Sequence, residues 1–142
     1  MIIESGSDLH LLIDEQRLER WELQMIALDA DLRLLWVKTI AHDFRGRFDG
    51  PTVLAAEKRL KNPAVAYVAF GHRVPDVAHY QHHHLRPEDL RVLDRFLARR
   101  KLTSLGVIIC DGEKWASTGP LHTFEHYTDG EDLPRTLVIP PP

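Results

Sequence analysis

Leu23-Gln24-Met25-Ile26-Ala27-Leu28 and Leu32-Arg33-Leu34-Leu35-Trp36-Val37-Lys38-Thr39-Ile40 are two short apolar runs, and Asp29-Ala30-Asp31 stands between them. A gap this short, filled with turn formers, joins antiparallel neighbours, so the pair reads as a β-hairpin. Downstream, Asp49-Gly50-Pro51 opens a helix over 51–61, because proline suits the first helical position, where its missing N–H costs nothing. Val53, Ala56 and Leu60 share one face of that helix and can pack on a sheet. Asn62-Pro63 ends it. The nearly continuous apolar run 64–70 then reads as a strand covered on both faces.

Residues 71–86 are polar, aperiodic and histidine-rich, the pattern of a long loop. Pro87 starts a second helix over 87–101, with Glu88 and Asp89 in its first turn and Arg99, Arg100 and Lys101 in its last, matching the helix dipole at both ends. Leu90, Leu93, Phe96 and Leu97 make its buried stripe. The run 105–110 is another strand, Asp111-Gly112 turns the chain, and 114–117 is the returning strand. Towards the N-terminus, 11–20 reads equally as a short strand or as a helical turn. The order is β-hairpin, α, β, loop, α, β-hairpin. It predicts one α/β domain over 1–142, a mixed sheet flanked by helices, with a core of about 20–118 and a tail, 119–142, lying over it.

The chain has 142 residues, 44% hydrophobic and 27% charged, the composition of a globular domain rather than a disordered one. A net charge of −3 argues against holding nucleic acid by bulk charge, while leaving room for a local basic patch. One cysteine, Cys110, excludes an intramolecular disulfide and a Cys-rich zinc site, and its apolar setting reads as an inert core thiol. No apolar run nears the roughly 20 residues that span a bilayer, and the first residues lack a signal-peptide pattern, so a cytoplasmic location without a membrane partner is expected.

Five of the nine histidines, His72, His79, His82, His83 and His84, fall within the 71–86 segment. Neutral imidazole is the commonest protein metal ligand, and a loop held between two rigid elements can converge several on one ion. His82 and His84 point the same way in an extended segment; the plainer alternative is a solvated histidine-rich loop. Glu22, at the start of the first strand, is where a general base projects from a rigid element, or simply a surface glutamate. Asp89 reads as a helix-terminal charge and Asp111 as a turn residue. Arg95, Arg99, Arg100 and Lys101 form a basic helix end, suited to phosphate contact or to plain solvation. Ser104, Ser117 and Cys110 lack a nucleophile elbow, and Gly46-Arg47-Phe48-Asp49-Gly50 follows no phosphate-loop spacing.

Glu22 ahead of its strand, 62–70 running into Gly71-His72, Arg86-Pro87-Glu88-Asp89-Leu90 at a helix start, and Val107-Ile108-Ile109-Cys110-Asp111-Gly112 followed by a strand ending in Ser117 come in a telling order. Over about 20–118 that order resembles the RadC family of the JAB/MPN (JAMM) metalloprotease-like fold. The resemblance implies cytidine-deaminase-like layering. It also implies zinc held by two histidines and an aspartate, a glutamate that handles the proton of the bound water, and a link to DNA repair. The departures fall on the chemistry: Phe70 stands where the first histidine belongs, Arg73-Val74-Pro75 replaces Pro-Ser-Gly, and Leu105-Gly106 replaces an Asp-His pair. Three readings follow. One is a non-catalytic member without a cofactor that binds a protein or nucleic-acid partner, as monomer or oligomer. The second is a zinc hydrolase of peptidase or isopeptidase type, with His72, His82 and His84 as metal ligands and Glu22 as base. The third is a histidine loop that buffers or senses metal or pH.

Overall fold

In the computed structural model, which describes residues 1–83 and 85–119, the hairpin forms where its pattern placed it. β1 (Leu23–Leu28) and β2 (Leu34–Ala41) pair antiparallel. β3 (Tyr67–Arg73) lies on the other side of β1, also antiparallel. β4 (Thr103–Cys110) runs parallel to β3, and β5 (Trp115–Ser117) folds back on β4. The result is one five-stranded mixed sheet in the order β2-β1-β3-β4-β5.

Helices cover both faces. α2 (Gly50–Arg59) starts at Asp49, whose carboxylate accepts the Thr52 N–H at 3.0 Å, with Pro51 in the first turn. α4 (Pro87–Arg99) starts with Asp89 accepting the Arg86 N–H at 3.0 Å, so the helix-terminal reading of Asp89 holds. Ala56 of α2 and Leu90, Leu93 and Leu97 of α4 join Met25, Phe70 and Val107 in one core. On the opposite face Leu9, Leu12 and Ile13 of α1 (Gly6–Gln16) meet Ile26, Ala69 and Ile108. Because side chains alternate along each strand, β1, β3 and β4 supply both cores at once.

Two expectations need correction. The open choice at 11–20 resolves as helix as far as Gln16, with Arg17 capping it, and the helix begins earlier, at Gly6, where the Ser5 hydroxyl accepts the Asp8 N–H at 3.2 Å. The 71–86 segment is not one long loop. β3 continues through Gly71, His72 and Arg73, and α3 (Val77–His83) follows. Pairing with β1 explains the first change: Leu23 stands opposite His72, and the Arg73 N–H donates to the Glu22 carbonyl at 3.2 Å. Capping and burial explain the second. Asp76 accepts the Ala78 N–H, Asp111 accepts the Val77 N–H, and Val77 and Tyr80, three residues apart, bury together. The tail expected beyond Gly119 and the residue His84 lie outside the described residues. Among the described residues no helix is long and apolar enough to cross a membrane.

β4 carries an irregularity within its length. Val68 pairs with Ser104 and Phe70 with Val107, so Leu105 and Gly106 together stand opposite Ala69, the count of a β-bulge. Gly106 sits at φ 89, and its N–H donates to the Ser104 hydroxyl at 3.1 Å. The Val107 N–H turns to the Thr118 hydroxyl at 2.8 Å, which binds the segment after β5 to the bulge.

Candidate functional site

β3 and β4 end side by side, and the carboxyl end of a parallel pair is where open α/β sheets place ligands. His72 stands there, fully buried. Its Nδ1 lies 2.8 Å from the Glu22 carbonyl oxygen, so Nδ1 carries the proton and donates it. Register dictates this contact, because Leu23 is the partner of His72 and Glu22 is the next residue outward. The Glu22 side chain faces the other way: its Oε1 accepts the Glu19 N–H at 2.7 Å, and its Oε2 lies 3.4 Å from Nδ1 of the exposed His42.

Aromatic rings enclose the imidazole. Phe44 meets it edge-on at 4.9 Å between centroids, Tyr80 lies at 5.2 Å and Trp21 at 6.2 Å. Behind them Phe48 bridges from Phe44 to Phe70. The outer face of this group is Trp21, with the Arg45 guanidinium 3.7 Å over its ring, a cation–π contact. Burial, then the negative field of Asp89, pushes the Tyr80 phenol above its ordinary range, and Arg45 only partly opposes them. Trp21 also holds a φ of 68, a left-handed conformation unusual for a bulky residue and costing about 1–3 kcal/mol. Two backbone bonds hold it: its N–H donates to Arg73 O at 2.7 Å, and its carbonyl accepts the Phe44 N–H at 2.8 Å. Strain of this kind concentrates at sites where a side chain must be aimed.

Of the residues singled out from sequence, the fold brings Glu22 and His72 together through the Glu22 backbone. His82 belongs to α3, but its side chain and the whole of His84 lie outside the described residues. Among the described residues no group of three or more His, Cys, Asp or Glu side chains gathers as a metal site, so these residues do not by themselves fit the zinc the resemblance implies. Asp111 is the turn residue expected: its carboxylate accepts the N–H groups of Glu113 and Lys114. Burial works against its charge, but backbone N–H groups of Lys114, Val77 and Glu113, with Arg73 nearby, outweigh it and hold the carboxyl below its usual range.

Cys110 is buried, and its thiol contacts the His72 carbonyl. Burial pushes the thiol up from 9.0 to about 11, Arg73 opposing and Asp14 and Asp111 adding to the rise. Two consequences are measurable. At pH 8 the folded protein should react with a disulfide reagent at least roughly 100-fold more slowly than the urea-unfolded chain, the ratio of thiolate implied by two pKa units. Since the native thiol keeps a proton that the unfolded one loses, this group's contribution to stability should be present below pH 9 and lost as pH rises from 9 towards 11. Equal reaction rates in the two states would place Cys110 outside the core.

Trp21, Phe44, Tyr80 and Arg45 were not read from sequence as parts of the site. The signals were faint: Trp21 directly precedes Glu22, and Phe44 and Phe48 are spaced to meet, but neither lies in a periodic segment. Comparison with protein-family models and with curated proteins gives no match.

Proposed function

We propose that the chain is a JAB-like domain, cytoplasmic, that works by binding a partner rather than by catalysis. The observation that carries this reading is the enclosure of His72, fully buried among aromatic rings with Nδ1 held by the Glu22 carbonyl. A catalytic zinc site keeps a coordination position open to water and substrate, and a general base must reach the proton it takes. Here Phe70, packed against Phe48, stands in place of the first histidine, and the Glu22 carboxylate is engaged by the Glu19 N–H. The partner is a protein or a nucleic acid, and the DNA-repair link belongs to the family that the chain resembles.

One observation favours a second reading, a zinc-dependent metallohydrolase of peptidase or isopeptidase type with a rearranged histidine site. Glu22 and His72 are neighbours at the carboxyl end of β3, where such chemistry would sit. The two readings separate on protein purified without a histidine tag or nickel column. The binding reading expects less than a tenth of an equivalent of zinc and no cleavage of peptide or isopeptide substrates with zinc added. Stoichiometric zinc together with turnover that Glu22→Gln abolishes would replace it with the hydrolase, with zinc as cofactor and His72, His82 and His84 as ligands.

A further inference from the structure

The far end of the sheet carries a different feature. At the amino ends of β3 and β4, the carboxyl ends of α2 and α4 come together, joined by an ion pair between Glu57 and Arg100. Residues 57–61 and 99–101 hold six cations and one carboxylate. Against a whole-chain charge of −3, these eight residues carry +5 and leave −8 on the remainder. All six cations but Arg100 are exposed.

Dipole compensation does not account for this density. Each helix carboxyl end is equivalent to about −0.5 charge, so two ends call for about one cation between them. The geometry is also concave. A cleft of about 240 Å³ between the two helix ends is lined by Lys61, Asn62 and Arg100. A second, of about 430 Å³, is lined by Lys58 and Arg59 together with Ile40, Pro51 and Leu54. Cations at the end of α2 and just beyond it thus line both clefts, Lys58 and Arg59 the second and Lys61 the first.

We propose that this surface binds the phosphodiester backbone of a nucleic acid. A strand of nucleic acid presents a charge about every 3.4 Å whatever its sequence, so it can engage cations on two helix ends at once. The exposed guanidinium groups of Arg59 and Arg99 offer the paired N–H donors that phosphate oxygens accept. An anionic membrane fits less well, because of the exposed large apolar residues (Met1, Ile2, Leu11, Leu54, Val92) only Leu54 lines this surface, and one side chain is a poor anchor beside the broad apolar face of an interfacial helix. This names a partner class for the binding reading; the second cleft runs back along α2 to Thr39 and Ile40, near the His72 end of the sheet, but Trp21, Phe44 and Tyr80, which enclose His72, line neither cleft, so the surface does not depend on what His72 does.

The test is fluorescence anisotropy of the full chain with labelled 20-nucleotide single-stranded and 20-base-pair duplex DNA from 50 to 200 mM salt. Affinity for at least one probe should fall with salt at a logarithmic slope of about −3 to −5, as for several neutralised phosphates. The triple reversal Lys58→Glu, Arg59→Glu, Lys61→Glu should weaken binding at least tenfold and flatten the slope by about two to three. Reversal of Arg20 and Lys114, exposed cations elsewhere, should change it less than threefold. Because charge reversal at a helix end can unsettle α2, the glutamine triple variant, verified by an unchanged melting temperature, must show the same trend at smaller size. Absence of binding at 50 mM salt, binding that ignores salt or ignores the triple substitution, or capture by phosphatidylserine vesicles with no DNA binding would each overturn the proposal.

Discussion

Gly106→Ala should destabilise the protein by about 3 kcal/mol, lowering the melting temperature by roughly 10 °C. The residue sits at φ 89, where a side chain costs about 1–2 kcal/mol before any contact is considered. A Cβ there would also stand 2.6 Å from the Gly119 nitrogen and 2.8 Å from the Thr118 hydroxyl, and backbone cannot swing aside as a long side chain can. The bulge lies between the two parallel strands at the centre of the fold, so the strain would reach β3 as well as β5. Urea denaturation of the parent and variant measures the difference. A loss under 1 kcal/mol would mean that β4 has another way past Ala69.

Phe70→His, which places a histidine where the resemblance leads one to expect it, should cost about 3 kcal/mol as well. Phe70 is fully buried and meets Phe48 edge-to-face at 5.5 Å. Exchanging its ring for an imidazole removes apolar area from the core and adds two polar nitrogens that need partners there. The same denaturation experiment decides it. A variant as stable as the parent would show that position 70 still accepts a polar ring, and would weaken the view that this part of the sheet is given over to packing.

Much of the architecture was legible in the chain because its signals were periodic or chemical. The hairpin, Asp49-Gly50-Pro51 and the stripe Leu90, Leu93, Phe96 and Leu97 each state a local structure that tertiary packing then uses. The start of α1 was legible in principle, since Ser5 and Asp8 have the spacing of a helix cap, with the Glu4 N–H donating back to Asp8 at 2.9 Å. α3 was not: seven residues give too few turns for periodicity, and one of its caps, Asp111, is 34 residues away. The bulge left one trace, a glycine inside an apolar strand. Of the candidate site, Glu22 and His72 could be named, but their relation could not. It passes through a backbone carbonyl set by strand register, and the aromatic wall is gathered from three separate segments.

The reach of Asp111 bears on how this fold can change over evolutionary time. A turn at the surface, such as 111–114, is ordinarily where a lineage adds residues without penalty. Here one carboxylate serves both the turn and the first N–H of α3, with Oδ1 on Glu113 and Lys114 and Oδ2 on Val77. Lengthening the turn would move that carboxylate and release the start of α3, even though nothing in the 77–83 segment had been altered. The histidine-bearing helix is thus tied to a hairpin distant in sequence, and descendants that keep one should be found to have kept the length of the other.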